Sequence, residues 1–320
     1  MKRILLASTA AAALVGGVSA ASAAEWSAGV SGFMQIGVGF ADGEDGPGVL
    51  RDGEIHFNSK LVADNGITFD GRVELEATTT SDQIDENWAR VGGSFGSIKV
   101  GGDDSAKGAY ANGVIYSPGS RVGYFDAFGI TQNNAMGFIS GNGDSIGIHY
   151  DSPSFSGFSF GASYIPNGST DGAGDTGDPA FSNDAAGDDF WSVGGMYDGN
   201  FGDFGFGVSA AYGDSDGASE IWHVGGNVSF SGFTVAAHYE DDGDDMYAIG
   251  ASYGTGPWTV AGGYALDEVA GGADGEVWSG WVSYAIAPGV SGTVGLEYHD
   301  DGVGNADEEI AGLAYLQLNF

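Results

Sequence analysis

From Glu25 to Phe320 the dominant signal is alternation, with apolar and polar residues trading places every second position along segment after segment. That is the period of a strand with two unlike faces, and a helix of 3.6 residues per turn cannot carry it. In the clearest stretch Val290, Gly292, Val294, Leu296 and Tyr298 share one face, and Ser291, Thr293, Gly295 and Glu297 the other. Trp258, Val260, Tyr264 and Leu266 repeat the pattern, as do Phe204, Phe206, Val208 and Tyr212, and again Phe233, Val235, Ala237 and Tyr239.

Two kinds of connection separate these segments. Short ones lie at Asp64–Gly66, Ser94–Gly96, Phe155–Gly157, Asn200–Gly202, Phe230–Gly232, Thr255–Pro257 and Ala287–Gly289, with Gly or Pro where a tight turn needs it. Longer, acidic, Gly-rich ones lie at Asp42–Gly48, Asn167–Gly187, Asp214–Gly217, Asp241–Asp245 and Asp300–Asp307. The seven short turns divide the chain into eight hairpin-sized pieces, each with one long connection. This predicts sixteen strands with both termini at the short-turn end.

Loops sorted by length, an even strand count and segments of roughly ten residues describe an antiparallel transmembrane β-barrel. A water-soluble sandwich is the alternative, but it does not sort its loops, and Gly at many inward positions would hollow its core. The same Gly residues are harmless in a water-filled lumen. Phe158 with Tyr164, Phe204 with Tyr212, and Phe233 with Tyr239 bracket apolar faces near both strand ends, where interfacial aromatic girdles sit.

The N-terminus has the form of an export signal. Lys2 and Arg3 precede an apolar run from Ile4 to Val18, and Ala21-Ser22-Ala23 is a small-x-small cleavage site. Residues 1–23 are therefore expected to be removed, and 24–320 to form one exported barrel domain. There is no cysteine, so no disulfide can hold it. The formal net charge is −35, and loss of a leader carrying two bases and no acid leaves −37. Such a balance excludes nucleic acid as a partner, since phosphate binding needs clustered Lys and Arg. It favours small cations and divalent metal ions.

Three segments carry a resemblance to a known family: RVGGSFGSIKVGG from Arg90 to Gly102, DSIGIHYDSPSFSGF from Asp144 to Phe158, and the final AGLAYLQLNF from Ala311 to Phe320. In order and spacing they resemble the general diffusion porins of alphaproteobacteria, the sixteen-stranded class of photosynthetic purple bacteria and their relatives. The terminal Phe resembles the signal by which such barrels are recognised for insertion. The resemblance implies a homotrimer in the outer membrane of a Gram-negative cell, embedded among lipid and lipopolysaccharide and passing small hydrophilic solutes and ions without catalysis. It also implies that the third loop, about residues 103–143, folds into the barrel and narrows the pore. That stretch is the longest break in the alternation.

All seven bases after the leader, Arg51, Lys60, Arg72, Arg90, Lys99, Lys107 and Arg121, fall in one early window. By alternation Lys60, Arg72 and Lys99 face the lumen, whereas Arg90 shares its phase with Trp88 and its direction stays open. Porins resembling this chain oppose a basic wall to carboxylates on the third loop. Carried over, the wall is Lys60, Arg72, Arg90 and Lys99, and the loop acids are Asp103, Asp104 and Asp126. For any single base, an equally good reading is a wall charge cancelled by neighbouring Asp and Glu. The five histidines, His56, His149, His223, His238 and His299, fall on the lumen phase in different strands. Calcium is the one cofactor considered, at Asp241, Asp242, Asp244 and Asp245, where carboxylates cluster and the resemblance points the same way.

Rival functions find less support. No Ser or Thr stands near a His in a hydrolase motif. A calcium-binding β-helix would show a fixed short repeat, and none is visible. A substrate-selective porin remains compatible with the sequence, although an anion-specific one would call for a larger basic ring.

Overall fold

The computed structural model describes residues 25–42, 45–77, 83–115, 145–167, 189–215, 217, 220–268, 272, 274–300 and 308–320. The leader, Asp126, the third loop beyond residue 115 and most of two further acidic connections lie outside them. The strands are β1 (Ser27–Ala41), β2 (Gly48–Val62), β3 (Thr68–Glu76), β4 (Ile84–Gly93), β5 (Gly96–Gly102), β6 (Ile146–Asp151), β7 (Phe158–Ile165) and β8 (Phe190–Phe201). They continue as β9 (Phe204–Asp214), β10 (Ile221–Phe230), β11 (Phe233–Asp241), β12 (Asp245–Thr255), β13 (Trp258–Glu268), β14 (Gly275–Ala287), β15 (Val290–Asp300) and β16 (Glu308–Asn319). One helix, α1 (Ala106–Ile115), follows β5.

Each strand pairs antiparallel with its neighbours in sequence, and β1 pairs with β16, so the sheet closes into a sixteen-stranded barrel. At the closure the backbone N–H of Gly32 donates to Phe320 O and that of Phe320 to Gly32 O, both at 3.0 Å. The terminal residue is thus part of the ladder.

All seven short turns fall between strands as the sequence predicts. At the β10–β11 turn Ser231 and Gly232 both have positive φ, 49° and 86°. This is the mirror-image turn whose twist matches the strands, and it needs a small second residue. One connection differs from expectation. Asp241–Asp245 holds only three residues between β11 and β12, and its acids bend the chain: Asp241 Oδ1 accepts from Gly243 N at 3.0 Å, and Asp242 Oδ1 from Asp244 N at 3.4 Å. An acidic, Gly-containing run reads as a long loop in sequence, yet the same residues favour a tight turn.

Outside, the barrel is apolar. Val193, Val208, Val224, Val235, Ile249, Val260, Val282 and Val294 are all exposed on the outer face. Aromatic rings frame this band. At the short-turn end Phe204 stacks on Phe230 (ring centroids 4.5 Å apart), Phe233 on Tyr253 (4.2 Å), and Trp258 meets Tyr284 (4.6 Å). At the long-loop end Trp191 meets Tyr212 (5.3 Å), Trp222 meets Tyr239 (4.9 Å) and Tyr264 meets Trp278 (4.4 Å). Within β10, Trp222 and Phe230 mark the two girdles, about 26 Å apart along the strand at roughly 3.3 Å per residue. With strands tilted by roughly 40°, this gives a height of about 20 Å, close to the apolar band of outer-membrane barrels.

Inside, polar side chains dominate. His149, His223, His238 and His299 are buried on the inner face, as the alternation predicts, and His56 is half-buried there. An outward charge has no such refuge. Ile249→Arg, in the middle of the outer band, should cost about 2–4 kcal/mol in urea unfolding from lipid bilayers. Thr234→Arg, on the inner face of β11, should cost far less, and equal costs would contradict the assigned faces.

Candidate functional site

The lumen wall of β2 to β5 carries the basic residues as a connected group. The register sets Lys60, Asp70, Arg90 and Lys99 in one row across β2, β3, β4 and β5, and Asn58, Arg72 and Trp88 in the adjacent row. Ala89 and the exposed Val91 take the outer face, so Trp88 and Arg90 both point inward. This resolves the direction of Arg90. The Trp88 ring is the centre of the group: the Arg90 guanidinium lies 5.2 Å from its centroid, that of Arg72 5.6 Å, and the Lys99 ammonium 5.6 Å. Each cation gains from the ring quadrupole, and more so where water is scarce.

Each of these three bases also has an acid beside it. Arg72 donates to Glu74 Oε1 at 2.5 Å and to Asn58 Oδ1 at 3.0 Å. Arg90 holds Asp70 through Nε at 2.9 Å and through a terminal nitrogen at 2.8 Å. Lys99 pairs with Asp103, at the start of the third loop. Lys60 is exposed, and no ion pair to it is found among the described residues. Asp70 and Glu74 belong to the wall itself, so among the described residues Asp103 is the loop acid that meets a wall base. The half-buried Asp104 stands beside it, its carboxyl raised above the ordinary value by burial and by Asp103. Asp126 lies outside the described residues.

The wall is also graded along the pore axis. The Trp88 group lies toward the short turns, whereas Glu54, Glu74, Glu76 and Asp85 gather toward the long loops. A solute following this wall passes acids and then bases.

Across the lumen α1 is held against the inner face of β7 to β11. Ser105 opens the helix, its carbonyl accepting from Ala109 N at 2.8 Å. The Ser163 hydroxyl accepts from Ala106 N at 2.7 Å, the Ser192 hydroxyl accepts from Lys107 N at 3.1 Å, and Tyr110 donates to Asp151 at 3.3 Å. Gly161 and Gly194 make the close approach possible, since a Cβ on either would fall 2.4 or 2.6 Å from a Tyr110 atom. The strongest tie is Lys107 Nζ to Glu240 Oε2 at 2.9 Å, with both side chains buried. Burial pushes the Lys107 ammonium below its ordinary value, while Glu240 acts to keep the proton on.

The sequence named Lys107 only as a loop base and gave no sign of Glu240, 133 positions away. Trp88 was legible as a phase partner of Arg90 but not as the centre of the cations. At Asp241, Asp242, Asp244 and Asp245 the carboxylates serve the turn, and Tyr239 donates to Asp245. The groups of three or more metal-capable side chains among the described residues lie elsewhere, on β2, β3 and β4.

Breaking the α1 tie should free the helix rather than the barrel. Lys107→Met leaves Glu240 buried without its cation, at a cost of about 3–5 kcal/mol to docking, and adding Glu240→Leu should recover most of it. Limited proteolysis of segment 103–115 reads this directly. Equal protection in the single variant and the parent would contradict the role of the pair.

The fold has many solved counterparts. An anion-selective porin from Comamonas acidovorans superposes with a TM-score of 0.68 at 13% identity, covering 92% of this chain and 100% of that one. A loop-deletion form of the Vibrio cholerae outer membrane protein OmpT gives 0.65 at 13% identity, over 92% and 99% of the two chains. A mutant of the Rhodopseudomonas blastica porin gives 0.64 at 18% identity, over 92% and 100%. Comparison with curated protein sequences returns no match. The Gram-negative porin family matches residues 7–304. With a closed sixteen-stranded barrel, apolar outside and charged within, the chain belongs to the Gram-negative porin family.

Proposed function

We propose that this outer-membrane porin is a trimeric general diffusion channel of the alphaproteobacterial kind, passing small hydrophilic solutes with a preference for cations. The observation that carries the reading is a polar lumen inside a chain of net charge −37 once its leader is removed. Such a field lowers the energy of cations in the vestibules and raises that of anions. The leader, residues 1–23, fits export across the inner membrane.

The trimer is supported by an apolar hollow on the outer face where β15, β16, β1 and β2 meet, lined by Ile36, Val38, Val49, Val294 and Leu316. A neighbouring copy packing there would exclude lipid from the hollow. The Trp88 group also supports a second reading, a porin that selects solutes carrying an anionic group. Saturable block of ion current by such a solute would favour selection, and its absence general diffusion.

Planar-bilayer recording tests the proposal. Reversal potentials in a salt gradient should show cation preference that weakens as salt rises, because the screening length falls from about 30 Å at 0.01 M to about 3 Å at 1 M. Closure in three equal steps should accompany it. Lys60→Gln with Arg72→Gln should increase cation preference, since both side chains face the lumen. Chloride preference in the parent would refute the reading, and unchanged selectivity in the double variant would make Lys60 and Arg72 charges already cancelled by their neighbours.

A further inference from the structure

Glu54 and His56 stand two residues apart on β2 and so share its inner face. The register sets Glu74 of β3 opposite His56 and Glu76 opposite Glu54. His56 Nε2 lies 3.0 Å from Glu54 Oε2 and 3.7 Å from Glu74 Oε2. One ligand atom from each of the three falls within 4.8 Å of the others, and the same is true of Glu54, Glu76 and Asp85.

Three features set this group apart from an ordinary solvated acidic patch. It contains an imidazole, and its Nε2 is shut off from solvent without a hydrogen bond although two carboxylates flank it. The Glu74 side chain is buried, with Oε1 held by Arg72 at 2.5 Å and Oε2 turned toward His56. The spacing also suits a small ion. A tetrahedral ion with bonds of about 2.0–2.1 Å keeps its ligand atoms roughly 3.3 Å apart, and the two observed distances bracket that value.

We propose that Glu54, His56 and Glu74 form a three-ligand site for a first-row divalent transition ion such as Zn2+, on the lumen wall at the long-loop side of the Trp88 group. Imidazole nitrogen with carboxylate oxygen suits such ions, whereas Ca2+ and Mg2+ take all-oxygen shells. Glu76 and Asp85 stand beside the site, adding negative charge that attracts the ion. Occupancy places positive charge on this acidic stretch of the wall, so a bound ion reduces the entry of other cations.

Isothermal titration of the folded protein in detergent with ZnCl2, in millimolar Ca2+ to occupy oxygen-only sites, tests this without depending on whether the pore conducts. One saturable Zn2+ per chain is expected. His56→Gln and Glu54→Gln should each weaken it at least about tenfold, the lower end of what loss of even an outer-shell partner costs, while Asp241→Asn leaves it unchanged. An unchanged far-UV circular dichroism spectrum and heat-modifiable migration on SDS gels confirm that the variants fold. Absence of saturable Zn2+ binding, or equal binding in both variants and the parent, would overturn the site and leave Glu54, His56 and Glu74 as polar wall groups. Should a variant fail to fold, the visible spectrum of the Co2+-loaded parent decides: bands of a nitrogen-ligated low-coordinate ion support the site, and the spectrum of the aqua ion overturns it.

Discussion

Between the two aromatic girdles the barrel's outer face lies in lipid, where no water can satisfy a backbone N–H or C=O left open at a strand edge, so these groups must pair with a neighbouring strand. An open sheet fails that condition at its edges, and only closure meets it. The structure follows from this. Sixteen strands each find two neighbours, β1 finds β16, and the reciprocal bonds between Gly32 and Phe320 carry the ladder to the last residue. The outer face then has to match lipid, which Val, Ile, Leu and the rings at both rims do.

Because the ladder carries the fold, the interior need not be packed, and it is free to serve as a passage. Among the described residues its apolar clusters are small: Ala41, Leu50, Ala311 and Leu313 form one, Ala265 and Val277 another. The remaining inner wall holds charges, histidines and the docked helix. Charge is distributed unevenly there. Bases gather round Trp88 on one side, acids lie beyond them toward the long loops, and a buried Lys107–Glu240 pair fastens α1 on the other. A buried pair of this kind adds little net stability compared with apolar packing, but it is costly to break and so fixes position.

Strand number, order and faces were legible in the sequence because alternation and turn chemistry are local signals. The turns at Phe155–Gly157 and Phe230–Gly232 state their own positions, and Val290–Tyr298 states both faces. The Asp241–Asp245 turn reads as a longer loop because acids and Gly fit a long loop and a tight turn alike. The site was legible only where phase suffices, as for Lys60, Arg72 and Lys99. Which acid meets which base depends on register between strands, and local pattern does not set it. Arg90 with Asp70 and His56 with Glu74 are cross-strand pairs, and Lys107 with Glu240 spans 133 positions of sequence.

A porin must enclose a continuous water path, and liposome swelling with uncharged sugars of increasing size probes that path where neither charge nor a specific site contributes. Reconstituted protein should admit small sugars at rates falling steeply with molecular size, without saturation as concentration rises. Vesicles that stay impermeable to every sugar while the protein is folded and inserted would contradict it.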